Sequence, residues 1–132
     1  MKDKSPFRPT DGELEILRVL WSRGPSSVAQ VHKLLHAAKG TAFNTTLKLL
    51  QIMLDKRLVT RDDSGRPHIY QAAIPESQMQ QRLVADLLER AFGGSAGKLV
   101  AALTATNLGR AERDEIRRLL DESKGKSHEH HD

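Results

Sequence analysis

Apolar positions return every three or four residues from Thr10 onward, so that Leu14, Leu17, Leu20 and Trp21, with Ile16, line one face of a first helix ending near Ser22. Thr10 followed by Glu13 is a capping-box signature for its start, and Gly24-Pro25 stops it. Ser26 or Ser27 caps a second helix that turns Val28, Val31, Leu34 and Leu35 inward and ends before Lys39-Gly40. A third helix runs from Ala42 to Lys56. On it Thr46, Leu50 and Met53, flanked by Phe43, Leu49 and Leu54, form the packing side. Thr41, Asn44, Thr45, Lys48, Gln51 and Asp55 gather within a sector of roughly 120° on the other side.

The pattern then changes period. Leu58 to Arg61 and His68 to Ala72 read as two short strands around an Asp62-Asp63-Ser64-Gly65 turn. Pro75-Glu76 marks a boundary. Beyond it Met79, Leu83, Val84, Leu87, Leu88 and Phe92 stripe a fourth helix that stops at Gly93-Gly94. Two shorter helices follow, one presenting Leu99, Val100 and Leu103, the other Ile116, Leu119 and Leu120. Three short helices close no large core alone, so a second copy of the chain or the N-terminal module must cover their apolar faces. The tail from Ser123, SKGKSHEHHD, reads as polar and disordered.

These elements give a mainly α protein with a small β-hairpin. Residues 1–75 form a winged helix-turn-helix, residues 76–122 a helical dimerisation domain, and residues 123–132 a tail. In a winged helix the third helix enters the major groove. There Asn and Gln pair with adenine, Lys with guanine or phosphate, and Thr with a base edge or a thymine methyl. Asn44, Thr45, Lys48 and Gln51 are the base-reading candidates. Helix N-terminal amides near Ser26, Ser27 and Thr41, together with Arg61, Arg66 and His68 on the wing, are the phosphate candidates. The dimerisation candidates are Leu83, Leu87, Leu88, Phe92, Leu99, Val100, Leu103, Ile116, Leu119 and Leu120.

Charge supports this division. Residues 1–75 hold 12 Lys/Arg against 7 Asp/Glu, a net +5, and the remainder holds 9 against 10, a net −1. A basic module joined to a near-neutral one fits a polyanion-binding part and a partner-binding part. The 132 residues lack cysteine and any apolar run long enough to span a membrane, and the start has no signal-peptide character, which points to a cytoplasmic protein. The competing reading is a winged-helix protein-interaction module. RNA binding fits less well, because stacking aromatics are scarce.

Four stretches together, PTDGELEILRVLW, TAFNTTLKLLQIMLDKRLVTRDD, GRPHIYQAAI and RLVADLLERAFGGSAGKLVAAL, resemble the penicillinase-repressor family of BlaI, MecI and CopY type over about residues 9–122. The resemblance implies a homodimeric repressor on a palindromic double-stranded DNA operator. It also implies inactivation by cleavage near Ala102-Leu103, linked to a membrane metalloprotease sensor. From its residues alone, the same KLVAALTA stretch reads better as dimer core. CopY-like cysteine metal sensing has no residues here. Two positions depart from the family pattern: Thr46 stands at a core centre, and Arg57 where a glycine commonly ends the recognition helix.

Other chemistries find little support. His32 and His36 share a helix face without the HExxH glutamate, and His128, His130 and His131 sit in the tail without a rigid frame. AFGGSAGK lacks the phosphate-loop ending and follows a helix. No enzyme, cofactor, metal site or small-molecule substrate is expected.

Overall fold

A computed structural model describes residues 8–130, with side chains described for residues 8–123. The order is α1 (Asp11–Arg23), α2 (Val28–Lys39), α3 (Phe43–Asp55), β1 (Val59–Asp62), β2 (Ile69–Ala72), α4 (Glu76–Phe92), α5 (Ala96–Ala105) and α6 (Arg110–His130). The chain divides into two compact units between Asp86 and Leu87, within α4.

The first unit is a three-helix cluster closed by a hairpin. The Thr10 hydroxyl accepts from the Glu13 amide at 3.2 Å, and the Glu13 carboxylate accepts from the Thr10 amide at 2.9 Å, which completes the expected capping box of α1. Ser27 and Gln30 repeat the device on α2. Ile16, Leu17 and Leu20 of α1 meet Val31 and Leu35 of α2, Leu50 and Met53 of α3, Leu58, Val59, Tyr70 and Met79 in one buried core. The Trp21 indole closes its edge by donating to the Ile74 carbonyl at 2.9 Å.

β1 and β2 pair antiparallel, with Val59 opposite Ala72 and Arg61 opposite Tyr70. Ser26 adds one bridge outside the hairpin. Its amide donates to the Tyr70 carbonyl at 2.9 Å, and the Tyr70 amide donates back at 2.7 Å. The chain entering α2 is thereby tied to the wing.

Several expectations shift. Asp62 belongs to β1 and not to the turn, because its backbone pairs with Ile69. Leu34 is 40% exposed, since Val31 and Leu35 already fix the inward direction of α2. Phe43 is 43% exposed and does not flank the core. Leu83 packs against the N-terminal core beside Met79, so α4 contributes to the first unit beyond the Pro75-Glu76 boundary. The tail expected to be irregular from Ser123 continues α6 as helix to His130, as Lys, Glu and His extend an existing helix at small cost. His131 lies outside the described residues, as do the side chains of His128 and His130.

In the second unit Ser95 caps α5 through the Lys98 amide at 3.1 Å, after Gly93 and Gly94 end α4 with positive φ. None of the described side chains from Leu87 onward is fully buried. Leu87, Leu103, Leu119 and Leu120 are among the large exposed hydrophobics, while Leu88, Phe92, Leu99, Val100 and Ile116 are half-buried.

Candidate nucleic-acid interface

α3 is two-sided in the sense its sequence requires. Thr46, Leu50 and Met53 are buried, whereas Asn44, Thr45, Lys48, Gln51 and Asp55 are exposed. The buried Thr46 hydroxyl donates back to the Ala42 carbonyl at 3.4 Å, so a polar group at the core centre keeps a partner. Asn44 and Lys48 both turn their polar side chains outward. α3 has no side-chain cap, because Ala42 stands at its N-cap. Thr41, half-buried, precedes it, with its carbonyl 3.3 Å from His36 Nδ1.

The end of α3 sets the approach to the wing. The Arg57 amide donates to the Leu54 carbonyl at 3.1 Å, and the Leu58 amide donates to the Met53 carbonyl at 2.9 Å. This is a Schellman ending with Arg57 in the left-handed position, at φ 66°. Just before it, the Lys56 ammonium reaches the Glu13 carboxylate at 2.8 Å, pinning the C-terminus of α3 to the start of α1.

The wing is less basic than its two arginines suggest. The Arg61 guanidinium lies 2.6 Å from the Asp63 carboxylate, and His68 Nδ1 lies 3.5 Å from that same carboxylate. Hydrogen bonding to the Tyr70 hydroxyl, its cross-strand neighbour, and to Asp63 raises the Arg61 pKa further, so its charge is permanent. Hydrogen bonds from the hydroxyl and amide of Ser64 hold the Asp62 carboxyl below the ordinary carboxylate range, with the field of His68 as a smaller contribution. Arg66 is exposed at the tip.

The α2 side brings one correction. Ser26 is fully buried; its hydroxyl donates to the Gly24 carbonyl at 2.8 Å and its backbone pairs with Tyr70, so it is structural and unavailable to a phosphate. Ser27 is buried with its hydroxyl committed to the cap of α2. Sequence reasoning missed the restraint of Arg61 by Asp63 and Tyr70. The hairpin register alone would have found the Tyr70 half, since Arg61 and Tyr70 face each other across it.

Three packed helices, a following antiparallel hairpin and an exposed polar face on the third helix make a winged helix-turn-helix. The family model described as penicillinase repressor matches residues 9–122, so the chain belongs to the penicillinase-repressor family, whose members are transcriptional regulators and not enzymes. The transcriptional regulator BlaI of Mycobacterium tuberculosis is 31% identical over 114 residues, covering 84% of this chain and 83% of that protein. An uncharacterized 16.5 kDa protein of Latilactobacillus sakei is 26% identical over 112 residues, covering 84% and 77%. Among solved structures, the DNA-binding domain of the repressor BlaI aligns at 26% identity with a TM-score of 0.49, covering 58% of this chain and 92% of that one. No described helix is long and apolar enough to cross a membrane.

Proposed function

We propose that this transcriptional repressor binds a dyad-symmetric double-stranded DNA operator as a homodimer, with α3 of each copy in the major groove. The observation that carries the reading is the exposed amide, hydroxyl and ammonium face of α3, set against the buried Thr46, Leu50 and Met53 on its other side. Asn44 and Gln51 have the donor and acceptor pair that adenine requires, Thr45 suits a base edge, and Lys48 suits guanine or phosphate. Arg66, Arg61, His68 and the backbone near Thr41 and Ser27 are the phosphate contacts, with Arg61 and His68 held in reserve by Asp63. Dimerisation rests on the second unit, which leaves Leu87, Leu103, Leu119 and Leu120 uncovered in a single chain.

Footprinting of the DNA upstream of the chain's own gene, at two salt concentrations, tests the reading. A two-fold symmetric protected site that fades with rising salt is expected, because each neutralised phosphate adds about 0.9 to the slope of log K against log salt. Binding that ignores salt points instead to a protein partner for the α3 face. Lys48→Ala is expected to weaken operator binding by about 1–3 kcal/mol and to relax preference at one base pair. A loss uniform across sequences would assign Lys48 to a phosphate.

The family resemblance supports derepression by cleavage at Ala102-Leu103, coupled to a membrane metalloprotease sensor. Both residues are exposed on α5, which must unwind locally to enter a protease. Immunoblotting of cells under inducing conditions checks this: a fragment ending near Ala102 is expected, and a fully intact chain during derepression rules it out.

A further inference from the structure

The reading face of α3 has an apolar border that the polar contacts leave unexplained. Phe43 opens the helix and is 43% exposed, and its ring meets His32 of α2 edge-on at 5.4 Å between centroids. Leu47, one turn later, continues the same edge at half exposure. With Val28, Ala29 and Tyr70 these two residues make the apolar part of a notch of about 440 Å³ between α2, α3 and the wing, whose other side carries Gln51, Arg61 and His68. Single exposed hydrophobics are ordinary, but an aromatic ring in contact with a second helix and continued by Leu47 into a notch beside Asn44 is a shaped surface.

DNA offers few apolar groups to such a surface. In the major groove the one that carries sequence information is the thymine C5-methyl. We propose that Phe43, with Leu47 behind it, is a specificity-determining residue that takes the methyl of one thymine in each half-site. The assignment rests on the DNA-reading function proposed above. It adds a contact of a different kind, because it discriminates thymine from cytosine and from uracil by a methyl group and not by hydrogen bonds.

The test uses the full chain and its footprinted operator, with each thymine in turn replaced by deoxyuridine in both half-sites, which removes the methyl and leaves base pairing intact. One position is expected to lose roughly three- to fivefold in affinity per half-site, the worth of one buried methyl-sized group. Phe43→Ala should lose a similar factor on the thymine operator and be indifferent to deoxyuridine at that position. Phe43→Leu, which keeps an apolar side chain, should retain part of the discrimination. A methyl penalty of equal size in wild type and Phe43→Ala, or no penalty at any thymine, overturns the assignment while the footprint itself stands. Absence of any footprint overturns the DNA reading and this inference with it.

Discussion

Two adjacent residues at the end of α3 carry opposite energetic signs. Glu13 is 1% exposed, and the Lys56 ammonium lies 2.8 Å from its carboxylate. Replacing Lys56 with Met keeps the stem but strands a carboxylate inside the first unit. A loss of about 2 kcal/mol in urea unfolding is expected, less than a fully buried pair because Lys56 is partly exposed. Arg57 works the other way, since its left-handed backbone at φ 66° disfavours any side chain with a Cβ. Arg57→Gly should raise stability by about 1 kcal/mol, seen as a higher urea midpoint with an unchanged slope. The conflict at Arg57 was legible through the family resemblance, as a non-glycine residue where a glycine commonly ends the helix; which way the chain resolves it was not. The Lys56–Glu13 pair was not, because its partners are 43 residues apart and no local pattern joins them.

At the scale of elements, the hairpin shows what periodicity conveys and what it leaves out. Alternation placed both strands to within a residue or so, the capping box of α1 appears where Thr10–Glu13 predicts it, and of the two serines offered for α2 it is Ser27 that caps. Side-chain traffic across the wing is set by register and turn geometry, so the shared use of Asp63 by Arg61 and His68 stayed hidden. Ser26 was misassigned for a similar reason. A serine ahead of a helix reads as a cap or an anion contact, while its actual partner, Tyr70, lies across the fold. The Asp63 restraint has a measurable consequence for DNA binding. Asp63→Asn removes a negative charge from the wing and releases the Arg61 guanidinium from its carboxylate partner. Operator affinity is expected to rise roughly three- to tenfold at low salt, with up to about one more phosphate's worth of salt slope. A fluorescence anisotropy titration at several salt concentrations checks both effects; unchanged slope and affinity would mean that the wing does not meet the backbone.

For the whole molecule, the decisive contrast is between a first unit with a closed core and a second unit in which no described side chain is fully buried. Helices of this length do not persist in water on propensity alone, so α5, α6 and the end of α4 require an apolar surface to cover theirs. A second copy of the same unit supplies an identical stripe, and a two-fold arrangement of such stripes is self-complementary. Leu83, counted with this stripe from sequence, belongs to the N-terminal core; helical spacing alone could not tell which unit each turn of α4 serves. Leu87 is therefore the better probe, exposed in a single chain and outside the first unit. Leu87→Glu should yield monomers in sedimentation velocity, with the helical signal of the second unit reduced and the first unit's cooperative unfolding retained. Operator binding should fall by far more than the loss of one base contact, because a dyad site engaged by two tethered reading heads gains from the high effective concentration of the second. An unchanged sedimentation coefficient and an unchanged footprint would place the dimer contact elsewhere in the chain.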